Sequence, residues 1–312
     1  MKLSVQDGNL SYVFGQETAY RLIREAGFEA IDWNLDHALS RKVLDTAKEL
    51  KDLCIFEKEL PEVLSYYEEE LSYIRGNGLA FAQCHAPFPP YLPGRPEVLD
   101  YCIGIYKRLI EFCGVIGCPK VVIHGITLDC NNTVDTQEDI DRLNRHLYES
   151  LIDVLRENDN VMVCLENLFT SYQDVRYTGV CSDPHEAAEE IDRLNALAGK
   201  TCFGLCLDTG HLQLAHLRFY RYIPILGKRI VALHIHDNDA VHDRHMAPYS
   251  GTILWDEFCE ELRKIGYEGD LSFETCHQLD RTVIDPELAP LFLKFIADVG
   301  GFFRGKIQET SK

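Results

Sequence analysis

At 312 residues and 35.7 kDa the chain is long enough for two domains. Yet with 46% apolar residues, only 12 prolines and no Gly/Ser-rich or charge-block stretch, it offers no linker between two cores, so residues 1–312 read as a single domain. Fifty acidic residues against 31 basic ones give a formal charge of −19, a field that repels polyanions and argues against nucleic acid as a partner unless a basic groove or bound cations reverse it locally. No segment resembles a signal peptide or approaches the roughly 18 apolar residues of a membrane span, so the expectation is a soluble, cytoplasmic protein with no membrane partner, with homo-oligomerisation left open.

In chain order, short apolar runs alternate with longer segments of helical period, the pattern of parallel strands with crossover helices. The strand candidates are Leu3–Gln6, Ala30–Trp33, Leu79–His85, Lys120–His124, Val161–Glu166, Phe203–Asp208, Ile230–His236 and Asp270–Glu274. Between them, Arg95–Ile116 carries Val98, Cys102, Ile105 and Leu109 at helical spacing, and Gln137–Asn158 carries Leu143, Leu147, Leu151 and Leu155. Ser182-Asp183-Pro184 places a capping residue before a first-turn proline. The second round is the least regular: Arg41–Leu60 is mostly polar and reads as a helix followed by a short extended piece around Cys54–Phe56. Eight such rounds predict an α/β fold, a (β/α)8 TIM barrel with its active site at the C-terminal ends of the strands. An open doubly wound sheet would leave the polar strand ends unexplained, and no G-x-G-x-x-G or Walker loop supports a nucleotide fold.

Four of those runs end on a metal-binding side chain: VMVCLE on Glu166, CFGLCLD on Asp208, IVALHIH on His236 and GDLSFE on Glu274. Ionised carboxylates crowded into a barrel mouth are costly unless paired or bound to a cation. Three carboxylates and one imidazole suit one divalent ion, Mn2+, Co2+, Zn2+ or Mg2+, acting as a Lewis acid on a substrate carbonyl. Further donors sit where the mouth should be: His85, His124 and His211, and the pair Asp243 and His245 in HDRHMAP. They are candidates for substrate contact or additional metal. His37, His146, His216 and His277 read as structural or surface residues. The 12 cysteines, with no C-x-x-C pair, read as small buried hydrophobes kept reduced. Asn9-Leu10-Ser11 and Asn131-Asn132-Thr133 fit the glycosylation pattern, which carries no meaning without secretion.

The series HAPF, IHG, LEN, LDTGH, HIHDND, DRH and FET, in this order at strand ends, resembles the xylose-isomerase-like barrel superfamily, which includes sugar isomerases and epimerases and the endonuclease IV repair enzymes. The resemblance covers nearly the whole chain. It implies a single-metal sugar site at Glu166, Asp208, His236 and Glu274, with His211 on the substrate and with Glu166 and Glu274 doubling as proton-transfer groups. The endonuclease IV pattern would instead add His85, His124, His211, Asp243 and His245 as ligands of a cluster of up to three Zn2+. Two departures stand out: Pro248-Tyr249-Ser250-Gly251 replaces a P-G-E-G stretch, and Tyr172 stands where ketose 3-epimerases commonly place a second glutamate.

The leading expectation is a metal-dependent sugar isomerase or epimerase that abstracts a proton next to a carbonyl and passes through an enediolate, acting on a small-molecule sugar or polyol. The alternatives are a zinc-cluster phosphodiesterase acting on abasic DNA and a metal-dependent polyol or keto-acid dehydratase.

Overall fold

The computed structural model describes every residue except 129–133, 174, 280–284 and 310–312; the side chains of Asn9, Cys276 and His277 also lie outside the description. The second glycosylation pattern and the surface reading of His277 therefore fall outside the described residues.

Ten strands are present among the described residues: β1 (Leu3–Gln6), β2 (Ala30–Asn34), β3 (Ala80–His85), β4 (Lys120–Ile123), β5 (Met162–Glu166), β6 (Phe169–Tyr172), β7 (Val175–Thr178), β8 (Phe203–Asp208), β9 (Ile230–His234) and β10 (Leu271–Phe273). Eight pair in parallel in the order β10-β1-β2-β3-β4-β5-β8-β9. An Ile235–Phe273 bridge joins the last strand to the first: Ile235 N donates to Ser272 O at 2.8 Å, and Glu274 N donates to Ile235 O at 3.1 Å. The result is the (β/α)8 barrel that the alternating pattern predicts, with all eight expected strands within a residue or two of their predicted bounds.

Helices pack outside the strands on their apolar faces. Gln16–Ala26 buries Ala19, Tyr20 and Ile23, and Pro96–Ile116 buries the four predicted residues Val98, Cys102, Ile105 and Leu109. Each such fully buried aliphatic or aromatic side chain contributes about 1.5–3 kcal/mol. The helix Pro184–Ala198 begins as its sequence indicates, with Asp183 Oδ1 accepting from the amides of His185 and Glu186 at 2.8 and 3.1 Å.

Three local readings differ. The helix expected over Gln137–Asn158 is two, Gln137–Glu149 and Ile152–Glu157, because Leu151 N reaches only three residues back to Tyr148 O and tightens one turn. Around Cys54–Phe56 only Cys54 is extended. Ile55–Glu57 is a 3-10 turn, closed by the Glu57 carboxylate accepting from the amides of Asp52, Leu53 and Cys54. Strands β6 and β7 form an antiparallel hairpin, largely exposed, inserted after β5 and unforeseen in the polar run FTSYQDVRYT.

The barrel interior has two characters. Val122, Cys164, Cys206 and Ala232, from β4, β5, β8 and β9, form a small apolar cluster. The opposite side is polar: Ser4, Gln6, Asp32, Gln83 and Ser272 are all buried. Asp32 Oδ2 accepts from Gln83 Nε2 at 2.8 Å and Ser272 Oγ at 3.2 Å, so the carboxylate is held by neutral donors. Among the described residues no helix is long and apolar enough to cross a membrane.

Candidate active site

At the C-terminal ends of the strands, donor atoms of Glu166, Asp208, His234 and Glu274 lie within 4.8 Å of one another, all four residues buried. His234 Nδ1 is 3.3 Å from Glu166 Oε1, 3.4 Å from Glu274 Oε2 and 4.0 Å from Asp208 Oδ2. Three of the four predicted ligands thus converge with His234, and the fourth, His236, approaches Asp208. Strand β9 ends at His234, a single bridge follows at Ile235, and His236 comes next, its Nε2 3.0 Å from both Asp208 oxygens.

His236 belongs to a second group with His211, Asp243 and His245. Asp243 Oδ2 lies 3.4 Å from His211 Nε2 and 3.1 Å from His245 Nε2, while the His245 ring stacks on His236 at 4.1 Å. A third group joins His85, His124 and Glu166: His85 Nε2 is 2.9 Å from His124 Nε2, which is 3.0 Å from Glu166 Oε2. All nine predicted site residues therefore line one mouth, with Glu166 and Asp208 linking its parts. By contrast, His37, His146 and His216 are exposed, as their surface reading requires.

Local structure explains the convergence. Asp208 ends β8 and caps the helix Thr209–Leu214, accepting from His211 N at 2.6 Å, so one residue both faces the mouth and turns His211 back toward it. Gly210 is required there, because a Cβ would stand 2.0 Å from His236 Cε1. Asp237 fixes the loop after β9 by accepting from Trp255 Nε1 at 3.0 Å and from Ile253 N at 3.1 Å. Gln6 Nε2 donates to Glu274 Oε1 at 2.9 Å and leaves Oε2 facing the other donors.

The residues missed by sequence reasoning are those one layer down. Asp32 Oδ2 lies 3.2 Å from His234 Nε2, and Asp36 Oδ1 lies 2.7 Å from His85 Nδ1. The signal for His234 was its shared face with His236; Asp32 gave one too, as an acid alternating into the barrel in AIDWN.

Burial alone would raise the Glu166 carboxyl, but the charges of His124 and His234 outweigh it and hold it well below the usual range. Burial would likewise depress His211, yet Asp208 and Asp243 push it well above an ordinary imidazole. His85 rises to about 9: burial opposes the shift, and Asp36 overcomes it. Both Glu166 oxygens, both His234 nitrogens, His236 Nδ1 and Asp243 Oδ1 are buried without a hydrogen bond of proper geometry despite these short approaches. Convergent lone pairs that find no proton donor are what a divalent cation satisfies, so the donor set fits one.

A cleft of about 330 Å³ opens onto this mouth, sharing His124, His211 and Asp243 with it. Phe88 packs edge-on to His124 with ring centroids 4.7 Å apart, and Phe169 of β6 leans on His211 at 5.3 Å.

An uncharacterized protein, y4fM, of Sinorhizobium fredii is 27% identical over 282 residues, covering 84% of this chain and 81% of its own. The 3-keto-D-glucoside 4-epimerase of E. coli superposes with a TM-score of 0.67 at 15% identity, covering 96% of this chain and 99% of that one. The D-psicose 3-epimerase of Clostridium cellulolyticum H10, solved with D-tagatose, gives 0.62 at 16% identity, with 99% and 100% covered. At such identities the two structures speak for the fold alone. The sequence profile of the xylose isomerase-like TIM barrel family matches residues 20–293, and the chain belongs to that family.

Proposed function

We propose that the protein is a metal-dependent sugar isomerase or epimerase that moves a proton on a carbon next to a carbonyl. The observation that carries this reading is the approach of two carboxylates, Glu166 and Glu274, to 3.3 and 3.4 Å from the same imidazole nitrogen. A divalent ion held by Glu166, Asp208, Glu274 and a histidine supplies Lewis acidity that acidifies the C–H beside a bound carbonyl. The two fold relatives described above act, by name, on a keto-glucoside and on a ketose, which supports a sugar substrate.

Within that frame the two carboxylates divide the work. Glu166 is fully enclosed by His124, His211 and His234, which favour its anion and make it a weak base. Glu274 has one oxygen fixed by Gln6 and the other free toward the cluster, so it is assigned the proton-abstracting role. His211, between Asp208 and Asp243, is placed to donate hydrogen bonds to substrate hydroxyls. Glu274→Gln is expected to lower turnover by about 100- to 10,000-fold and to abolish exchange of a substrate C–H with solvent deuterium, while the circular dichroism spectrum stays unchanged. Wild-type exchange in that variant would refute the assignment.

One observation favours a second reading, the zinc-cluster phosphodiesterase. His85, His124, His211, Asp243 and His245 stand in groups contiguous with the central carboxylates. The charge of −19 weighs against a polyanionic substrate. Elemental analysis separates the two: close to one ion per chain supports the sugar enzyme, whereas close to three ions together with cleavage of abasic DNA establishes the nuclease.

A further inference from the structure

We infer that the substrate carries an apolar, flat substituent beside its sugar ring, and that the cleft between Phe88 and Phe169 receives it. This deepens the sugar-enzyme reading and rests on it. The cleft adjoins the donor groups through His124, His211 and Asp243, so a ligand bound against those three residues extends into it. Most of its wall is apolar: Phe88, Pro89, Tyr91, Ile126, Leu168 and Phe169 present rings and aliphatic groups, with Arg41, Thr127 and Asp135 as polar points among them. A hexose is rimmed by hydroxyls, and each one buried against such a wall loses its water without gaining a partner.

Two further observations point to an occupant. The Phe88 ring is 43% exposed although it sits at the entrance of a buried site, where an uncovered large apolar side chain marks a contact surface. Phe88 and Phe169 each pack against one of the two histidines, His124 and His211, that frame the mouth, so the rings form a pair of jaws directly beyond the donor groups. A cavity of about 150 Å³ holds a benzene ring, and the 330 Å³ of this cleft accommodates one or two fused rings together with their link to the sugar. The chemical class is therefore a keto-sugar with an aromatic substituent, such as an aryl glycoside that carries a ketone in its ring, in place of a free ketohexose.

The test is isothermal titration calorimetry of the Mn2+-loaded protein with methyl β-D-glucoside and phenyl β-D-glucoside. The phenyl compound is expected to bind about tenfold more tightly or better, and Phe88→Ala and Phe169→Ala are each expected to remove most of that advantage. With phenyl 3-keto-β-D-glucoside, whose ring ketone acidifies the neighbouring C–H, Glu274→Gln should lose the solvent exchange of substrate hydrogen that the wild type shows. Equal affinity for the two glucosides in the wild-type protein, which needs no variant, overturns the inference. So does a phenyl preference unchanged in the double variant of Phe88 and Phe169. A phenyl preference retained alongside undiminished exchange in Glu274→Gln would leave the cleft assignment standing and refute the proton-transfer reading instead.

Discussion

Asp32 lies one layer beneath the cluster, fully buried, held by Gln83 and Ser272 and 3.2 Å from His234 Nε2. Its anion favours a proton on Nε2, and that choice leaves the Nδ1 lone pair for the carboxylate side. Asp32 is thus a positioning residue. Asp32→Asn, nearly identical in shape, is expected to weaken Mn2+ binding by about 10- to 100-fold in competition with a chelator, with kcat at saturating metal affected far less. A second prediction concerns Gly210. Because any Cβ there meets the His236 ring, Gly210→Ala is expected to displace His236 and lower the metal content of purified protein. Retention of a full metal complement would show that His236 has room to move without loss.

Among the elements, Asp7 after β1, Tyr20 on the helix Gln16–Ala26 and Glu70 on the helix Glu68–Gly76 form a buried chain. The Tyr20 hydroxyl is 2.7 Å from Asp7 Oδ2 and 2.5 Å from Glu70 Oε1, and Glu70 also accepts from Trp33 Nε1. One hydroxyl proton cannot serve two carboxylates, so one acid keeps its own proton. Asp7 is that acid: burial raises it from 3.8 to about 7, against the lowering bonds from Asn34 N and Tyr20, with Glu70 and Asp32 adding repulsion. A folded-state value above the unfolded one gives stability that is complete below about pH 4 and lost as pH rises through 7. Asp7→Asn reproduces the protonated acid, accepting from Asn34 N and donating to Tyr20. Urea titrations are expected to show it equal to wild type near pH 3.5, already more stable at pH 5, and more stable on the order of a few kcal/mol near pH 8. A constant difference across that range would refute the shared proton.

Why some elements were legible follows from the same physics. The alternation of barrel strands and the cap at Asp183 are local signals; the first placed eight strands and the donors at their ends, and the second placed a helix start. The run IVALHIH shows that His234 shares a face with His236, but not that its ring approaches three carboxylates. Asp32 showed only its inward-facing place in AIDWN, and Asp7 gave no signal, for a related reason. An acid inside an apolar run is stabilised by partners from β3, β9, β10 or distant helices, and no spacing along the chain reports those. The β6–β7 hairpin lacked an apolar face to announce it, since it uses Phe169 to cover the mouth rather than the core.

At the scale of the whole molecule, 50 acidic residues make any bound cation favourable, so a stabilising effect of metal must be separated from simple screening. A specific site saturated at about 1,000 times its Kd contributes roughly 4 kcal/mol, enough to raise Tm by several degrees. Millimolar Mn2+ is expected to produce that rise and a chelator to reverse it, while NaCl at equal ionic strength does not. An equal effect of NaCl would assign the stabilisation to the net charge. The junction of β9 and β10 gives this linkage a location. The two hydrogen bonds that shut the cylinder there are donated by the amides of Ile235 and Glu274, the first between His234 and His236, the second on a carboxylate of the cluster itself. Fastening the last stave of the barrel and bringing its donor groups together are therefore one event, and a metal bound there would act as the latch of the seam: deuterium uptake at these two amides is expected to slow with metal bound and to lead the rest of the sheet when it is withdrawn.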